Sequence, residues 1–406
     1  MTDSGDASGG RDFAANVQKW FSSRIGGILI PIAAAILAFA VGGIVVLLTG
    51  HNPLGTYKAI WEGTGLNYIL DPTLSGDERR AAKSDLQQTL IIAAPLMLTA
   101  LAVAFAFRCG MFNIGGQGQY WLGLIAALYI GSHLDGTPHV LHVALAVAAA
   151  TAAGFIWGGI AGILKAAVGA HEVITTIMLN WIAIYVGKYL YELNGPLQGP
   201  QPSIPRSADI LESAKLWEDP LLGSGLQPLH VGIYLSILAV IAYHLLLNRT
   251  TLGYEVRAVG FNPEAARYGG ISVSRNYFLA LAISGAFAGI AGAVDILGWK
   301  FHVATNDFDA PVAVGFAGIA VAVLGRNKAV GIFFAAILFS ALQVGTSTRQ
   351  LDPEVFSPEL AGNLATMIQA LIILFVGAEL LIVYLWGFRR QLGFDRPVRV
   401  QPELKQ

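Results

Sequence analysis

Ten long apolar runs constrain this 406-residue chain more than any other feature of its sequence. A helix needs about 20 mostly apolar residues to cross the hydrocarbon core of a bilayer. Only 13% of the residues are charged, whereas soluble domains carry about 25%. We therefore predict an all-α, polytopic integral membrane protein. Its approximately ten transmembrane helices are expected at residues 25–48, 89–107, 113–132, 140–165, 172–192, 230–248, 277–298, 312–325, 330–347 and 362–386. The eighth run is short and the ninth follows it closely, which leaves open whether one of them is a broken helix.

Basic residues indicate which ends of the runs face the cytoplasm. An even number of spans puts both termini on one side. With both termini in the cytoplasm, 16 of the 25 Lys and Arg residues lie in cytoplasmic segments, as the positive-inside rule favours. We expect residues 1–24 to be a cytoplasmic N-terminal segment and residues 391–406 a cytoplasmic tail. The pattern of residues 11–24 fits either an interfacial helix against lipid or a linker.

Several chemistries are excluded by the motifs that the sequence lacks. It contains no Gly-x-x-x-x-Gly-Lys-Ser/Thr loop for ATP phosphates, no His-Glu-x-x-His metal motif and no Gly-x-Ser-x-Gly elbow. The single Cys109 excludes an intrachain disulfide and a cysteine metal cage. A net charge of −1 gives no reason to expect nucleic acid as a partner. We expect this chain to bind no cofactor and no metal.

The stretch 249–276 is polar and basic although it lies between two apolar runs. Asn262 is a good N-cap residue and Pro263 suits the first helical position. The next residues, 264–268, are predicted to form a short helix that Gly269 and Gly270 end. A short helix held at the cytoplasmic face can dock on a soluble partner. An ordinary solvated loop is the alternative.

Polar side chains inside the apolar runs are candidates for a substrate pathway. Such groups need partners within a membrane. The uncharged candidates are Asn113, Gln117, Gln119, Thr175, Thr176 and Asn180. Their donors and acceptors suit a neutral polyhydroxylated or nucleobase substrate, while interhelical hydrogen bonding is the alternative. The ionisable Lys188 and Asp295 lie near outer ends, where we expect them to reach water.

Aromatic and small residues supply two further groups of candidates. Rings that could stack on a nucleobase are Trp181, Trp299, Phe301, Phe308 and Phe316. Small residues permit close helix packing in lipid, and those spaced on one face are Gly285, Gly289 and Gly292 in the seventh run and Gly315 and Gly318 in the eighth. These faces could slide during gating or pack statically. The Pro-rich segment 194–229 is expected to be an ordered outer cap rather than a helix.

The same stretches carry a set of short motifs. The cytoplasmic stretch and the following run hold Leu252-Gly253, Arg257-Ala258-Val259-Gly260, Asn262-Pro263, Ala265-Ala266, Tyr268-Gly269-Gly270-Ile271 and Ser284-Gly285. The third, fifth and eighth runs hold Phe112-Asn113-Ile114-Gly115 with Gly118-Gln119, Glu172-Val173-Ile174-Thr175-Thr176-Ile177-Met178-Leu179-Asn180, and Gly315-Phe316-Ala317-Gly318-Ile319-Ala320-Val321-Ala322 with Leu324-Gly325-Arg326-Asn327. Over about residues 85–390 the chain resembles the permease subunits of bacterial ATP-binding-cassette importers for ribose-like sugars and nucleosides. The run 172–180 is the most specific piece and resembles the nucleoside branch.

Two positions depart from that family's pattern. Gln117 stands where the family usually has an acidic residue, so no role that rests on a charge is carried over to it. His171 stands where the nucleoside branch usually has Asn. The remaining matches keep the fold expectation intact.

The resemblance implies that the importer consists of several different chains. Residues 25–390 would form the transmembrane permease domain of a bacterial cytoplasmic membrane importer, and 249–276 would be its coupling loop. The residues expected to touch a separate ATPase are Arg257, Asn262, Glu264, Arg267 and Tyr268. ATP and Mg would be bound by that ATPase, so the chain itself is not expected to be an enzyme. A second homologous permease chain, an extracytoplasmic substrate-binding protein or lipoprotein, and membrane lipid are the other expected partners.

Nucleosides are the favoured substrates, and three other functions stay open. A permease for ribose or galactose would share the fold. An ion-coupled secondary transporter would work without ATP. A membrane enzyme is disfavoured because no cluster of acidic, His or Cys residues lies at one depth.

Overall fold

The computed structural model describes residues 26–223, 228–309, 314–347 and 358–377. Their regular structure is helical, with isolated β-bridges but no strand. The helices are α1 (Gly26–Leu48), α2 (Pro53–Gly63), α3 (Asn67–Leu70), α4 (Gly76–Arg108), α5 (Gly116–His133), α6 (His139–Val168), α7 (Glu172–Tyr191), α8 (Gly232–Arg249), α9 (Thr251–Phe261), α10 (Pro263–Tyr268), α11 (Val273–Asp295), α12 (Val314–Leu324), α13 (Ala329–Gly345) and α14 (Pro358–Gly377). A π-helical turn (Ile296–Lys300) extends α11, and short 3-10 turns lie at Glu212–Ala214 and Thr305–Asp309. The all-α prediction is confirmed for these ranges.

The chain divides into two units. Residues 45–366 form one unit, which holds the candidate site. Residues 1–44 and 367–406 form the other, of which the structure describes parts of α1 and α14. The predicted N-terminal segment 1–24 and tail 391–406 lie outside the described residues.

Five of the described helices are long and apolar enough to cross a membrane: α4, α6, α7, α8, and α11 together with its π turn. Shorter apolar helices lie within α1, α12, α13 and α14. Each of the ten predicted runs contains a helix. The number of helices that cross the bilayer and the side of the termini stay predictions.

Helix α4 begins further out than the sequence suggested. It starts at Gly76, whereas the apolar run begins at residue 89, and α2 and α3 also lie in the expected outer loop. The inner part of this extension is enclosed by protein. Leu86 and Gln87 are buried, Gln87 Nε2 donates a hydrogen bond to the Leu222 carbonyl, and Thr89 donates to the Thr64 carbonyl at 2.8 Å.

The eighth and ninth runs form two separate short helices, α12 and α13. Arg326 and Asn327 lie between them with left-handed backbone angles, at φ 53° and 54°, which reverses the chain. The Asn327 carbonyl accepts hydrogen bonds from Arg108 Nη2 at 2.7 Å and from the Tyr243 hydroxyl at 2.9 Å. These bonds fix the turn against α4 and α8.

The outer segment from residue 194 to 223 is ordered and mostly non-helical, as expected. Backbone N–H groups of Ser207, Ile210 and Leu216 donate to carbonyls of the chain that leaves α11, at 2.8–2.9 Å. Burial alone would raise the pKa of Asp219. Hydrogen bonds from the Tyr234 hydroxyl and from two backbone N–H groups outweigh burial and hold that pKa below its usual value. We call residues 194–223 the outer cap.

Helix α11 packs against α5 and α6 through glycine. A Cβ added at Gly285 or Gly289 would overlap backbone atoms of α6, and one added at Gly292 would overlap α5. Backbones therefore meet directly, which is how helices gain contact in lipid without a hydrophobic driving force. This geometry explains the predicted glycine face as packing; sliding along it stays a prediction.

We expect Gly289→Val to destabilise the protein by about 3 kcal/mol, because the side chain has no room between the backbones of α11, α5 and α6. Unfolding of the detergent-solubilised protein measures this change. Gly55→Ala in α2 is the control, since a Cβ there meets no atom closer than 3.8 Å. Equal unfolding midpoints for both variants would contradict the packing described here.

Candidate functional site

The predicted coupling stretch is largely helical rather than a loop. Thr250 caps α9 by accepting a hydrogen bond from the Gly253 N–H at 3.1 Å. Val256 and Val259 are fully buried on one side of α9. Arg257 lies on the exposed side and donates to the Gly253 carbonyl at 3.2 Å. Helix α9 is thus an amphipathic platform that carries the next helix.

Helix α10 has the capping that its sequence predicts. Asn262 Oδ1 accepts hydrogen bonds from the N–H groups of Glu264 at 3.0 Å and Ala265 at 3.1 Å. Pro263 occupies the first turn. At the other end Gly270 adopts φ 81°, a conformation that suits glycine. The helix is therefore specified at both ends by local sequence.

The predicted coupling residues form an exposed surface. Arg257, Asn262, Glu264, Arg267 and Tyr268 are all exposed. Within α10 only Ala266 is buried. Tyr268 is 95% exposed and Phe261, at the end of α9, is 97% exposed. Sequence reasoning missed Phe261, although an aromatic residue beside a helix cap in a polar stretch was a usable signal.

The same stretch is joined to two long helices. Asn276 Nδ2, near the start of α11, donates to the Glu255 carboxylate of α9 at 3.0 Å. A Cβ added at Gly260 would overlap the backbone that leaves α4 at Arg108. Helix α9 therefore contacts both α4 and α11 directly.

The chain between α4 and α5 climbs along α11 before α5 begins. Cys109 Sγ lies 3.8 Å from the Asn276 carbonyl, and Asn113 Nδ2 donates to Ser284 Oγ at 2.6 Å. Those two partners are eight residues apart, or about 12 Å along the axis of α11. Helix α5 consequently starts well inside the bundle, at the level of Ser284.

Four predicted pathway residues come together at this start. Asn113, Gln117, Gln119 and Asn180 are all buried. Asn113 Nδ2 also donates to Gln119 Oε1 at 2.9 Å, and Asn113 Oδ1 accepts from the Gly115 N–H at 2.8 Å. We call these four side chains, with Ser284, the amide layer.

The amide layer links α5 to α7 and α12. Asn180 Oδ1 accepts from the Gly118 N–H at 2.8 Å, and Asn180 Nδ2 donates to the Ile114 carbonyl at 2.9 Å. Gln117 Oε1 accepts from the Gly315 N–H at 2.8 Å, near the start of α12. The amides therefore satisfy backbone groups where helices begin deep in the protein. Interhelical hydrogen bonding accounts for these contacts.

The remaining predicted pathway and packing residues lie around this layer in different roles. Thr175 and Thr176 donate to carbonyls of their own helix, α7. Phe316 is half exposed on α12. Gly315 and Gly318 pack so closely on Gln117 and Thr99 that a Cβ would clash.

Comparison with known proteins identifies the family. The family model described as "Branched-chain amino acid transport system / permease component" matches residues 85–377. The chain belongs to this permease family. No solved structure matches.

Curated relatives cover nearly the whole permease. The guanosine ABC transporter permease protein NupP of Bacillus subtilis is 39% identical over 373 residues, which is 91% of this chain and 99% of NupP. The nucleoside ABC transporter permease protein NupB of Lactococcus lactis is 31% identical, covering 87% of this chain and 92% of NupB. The glucose ABC transporter permease protein TsgB13 of Haloferax volcanii is 33% identical, covering 90% of each chain.

Asp295 of the permease does not reach water, contrary to our expectation. It is only 3% exposed, because it ends α11 against α5. Its carboxylate accepts hydrogen bonds from the Tyr120 hydroxyl, from Trp299 Nε1 at 2.7 Å, and from Lys300 Nζ at 3.1 Å. The π turn brings Trp299 and Lys300 back over this carboxylate. Lys188 is partly exposed, and it pairs with Asp309 at 2.5 Å.

The aromatic candidates of the permease differ in their contacts and in their exposure. Phe308 is buried against Trp121, with ring centroids 4.3 Å apart. Phe301 lies under Lys215 Nζ at 4.6 Å. Trp299 Nε1 donates a hydrogen bond to Asp295. These three rings contact other side chains that fix their position. Trp181 and Phe316, and to a smaller extent Trp299, are exposed.

We expect Asn180→Leu to destabilise the permease by about 2 kcal/mol, because the substitution removes two hydrogen bonds and leaves the Gly118 N–H and the Ile114 carbonyl unpaired. Met178→Leu, on the exposed side of the same helix, is the control and should change little. Unfolding midpoints in detergent test this. An Asn180→Leu variant as stable as wild type would contradict a structural role for the amide layer.

We expect Asp295→Ala to destabilise the permease by at least about 3 kcal/mol, because the buried end of Lys300 loses its counter-ion. Adding Lys300→Met should restore part of that loss. Asp77→Ala breaks a fully exposed pair with Arg80 and should change stability by under about 1 kcal/mol. Additive effects of the Asp295 and Lys300 substitutions would contradict their pairing.

Proposed function

We propose that this permease takes up nucleosides as the membrane subunit of an ATP-binding-cassette importer in a bacterial cytoplasmic membrane. The observation that carries the proposal is the exposed, doubly capped helix α10, held on a platform that contacts two long helices. NupP and NupB, which transport guanosine and nucleosides by name, support the substrate class. The run 172–180 supports the same class.

ATP is hydrolysed by a separate subunit, which also binds Mg. That ATPase docks on the surface formed by Arg257, Asn262, Glu264, Arg267 and Tyr268, with Phe261 at its edge. A helix whose exposed face combines charge with two open aromatic rings offers both steering and apolar contact area to a protein partner. ATP binding moves α10, and the contacts of α9 pass this motion to α4 and α11.

Two further proteins complete the importer. A second homologous permease chain packs beside this one, and in this chain α5, α7, α11 and α12 line the pathway. An extracytoplasmic binding protein or lipoprotein delivers the substrate to the outer cap. The cap suits that role because backbone hydrogen bonds hold it to the end of α11.

The amide layer gates the pathway in this proposal. Its hydrogen bonds join the starts of α5 and α12 to the middle of α7, so rearranging α5 against α7 and α12 requires these bonds to exchange. Asn113, Gln117, Gln119 and Asn180 can then offer amide groups to a nucleoside, with Thr175, Thr176 and Phe316 nearby on α7 and α12. Because α11 presents glycine where it meets α5 and α6, no interlocking side chains hinder the movement of these helices against it.

A sugar importer is the second candidate function. The identity of 33% with the glucose permease TsgB13 over 90% of the chain favours it. Uptake by the assembled importer separates the two. We expect ATP-dependent uptake of labelled guanosine or uridine that unlabelled nucleosides block and ribose or glucose do not. Uptake of a sugar alone would contradict the nucleoside assignment. Uptake without ATP would contradict the ATP-driven mechanism.

We expect Glu264→Arg and Arg257→Glu to reduce ATP-dependent uptake at least tenfold while the permease stays folded in the membrane, because both side chains are exposed on the coupling surface. ATPase co-purification and uptake in proteoliposomes measure the effect. Glu78→Arg, an exposed charge reversal in the first turn of α4, is the matched control. Normal uptake by both coupling variants would show that this surface is not where the ATPase docks.

A further inference from the structure

Helix α7 exposes a different kind of side chain from its neighbours. The exposed large residues of α6 are aliphatic: Val140, Leu141, Leu145, Ile156, Ile163, Leu164 and Val168. Those of α7 include three rings with a polar atom, Trp181, Tyr185 and Tyr189, alongside Ile174, Met178 and Ile182. The aliphatic set of α6 matches a surface that faces lipid, whereas the set of α7 does not.

The position of these rings along α7 determines which partners their polar atoms can reach. Trp181 lies nine residues into α7, about 13 Å along a helix that is about 30 Å long. Trp and Tyr concentrate at the membrane interfaces, where their polar atoms meet water. In the middle of a span, an indole N–H or a phenol hydroxyl that faced lipid would lack a partner. No hydrogen bond from Trp181 or Tyr185 occurs among the described residues.

Trp181 and Tyr185 form an ordered pair. Their ring centroids are 6.3 Å apart and their planes differ by 28°. Trp181 is 54% and Tyr185 62% exposed, so each ring keeps a face open. Lys188 Nζ lies 5.9 Å from the Tyr185 centroid and pairs with Asp309, whose side chain is largely exposed. The pair therefore connects the middle of α7 to a charged outer end.

Trp181 follows a residue of the amide layer in the sequence. Asn180, the neighbour of Trp181, contacts the first turn of α5, and the same turn contacts Gly315, the neighbour of Phe316. Exposed rings thus follow both residues that hold the start of α5. A polar-tipped aromatic surface that ends at an exposed ion pair suits a flat ligand with hydrogen-bonding edges.

We infer that Trp181 and Tyr185 bind the base of the transported nucleoside by stacking, as a site on the exposed face of α7. The inference rests on the proposed nucleoside transport and extends it. Base stacking on aromatic side chains tolerates different bases, because every base has a flat face. The site therefore takes purine and pyrimidine nucleosides and gives a sugar without a base no such contact.

Uptake kinetics of the importer, assembled with its second permease, ATPase and binding protein, test the site. Trp181→Leu should raise the KM for guanosine and uridine about tenfold, as expected for the loss of one stacked ring. Trp181→Phe and Tyr185→Phe keep a ring and should stay within about threefold of wild type. Phe334→Leu is the matched control, because this ring is 64% exposed on α13 and has no polar atom.

The outcomes separate this site from the importer function. No nucleoside uptake by the wild-type importer would remove the proposed function itself. Nucleoside uptake with an unchanged KM in Trp181→Leu would overturn the stacking site alone. Loss of the second permease on co-purification of Trp181→Leu would also overturn it, because the face of α7 would then be a subunit interface.

Discussion

Direct backbone contact around α11 is the constraint on which the rest of the structure depends. Lipid gives helices no hydrophobic reason to associate, so contact area between backbones has to supply the packing energy. Gly285, Gly289 and Gly292 let α11 touch α5 and α6 in this way. The same helix meets α9 at its inner end and the outer cap beyond its outer end. One closely packed helix therefore joins the polar stretch 249–276 to the outer cap.

The features that were predicted correctly from the sequence are those that residues close together in the chain specify. The cap at Asn262, the short helix α10 and its termination at Gly269 and Gly270 depend on residues within ten positions of one another, and all are present. The apolar runs likewise predicted a helix at each expected place. The spacing of Gly285, Gly289 and Gly292 predicted a packing face, because glycine at these intervals lies on one side of a helix.

Tertiary contacts decided what the sequence left open or misjudged. Asp295 looked like an outer-end residue that would reach water, but a π turn folds Trp299 and Lys300 over it and Tyr120 closes the other side. The outward extension of α4 contacts the outer cap, where the Leu222 carbonyl accepts a hydrogen bond from Gln87 Nε2. The polar pathway candidates could not be divided between packing and transport from sequence alone. Their hydrogen bonds to distant helix starts become visible only in the fold.

The chemistry of the amide layer has a consequence for the conditions under which it stays intact. Its members are amides and one hydroxyl, and Gln117 stands where the resemblance led us to expect an acid. None of these groups gains or loses a proton in the physiological range. The hydrogen bonds that join the starts of α5 and α12 to the middle of α7 are therefore insensitive to pH. A carboxylate at the same depth would have tied the opening of this layer to the acidity on one side of the membrane.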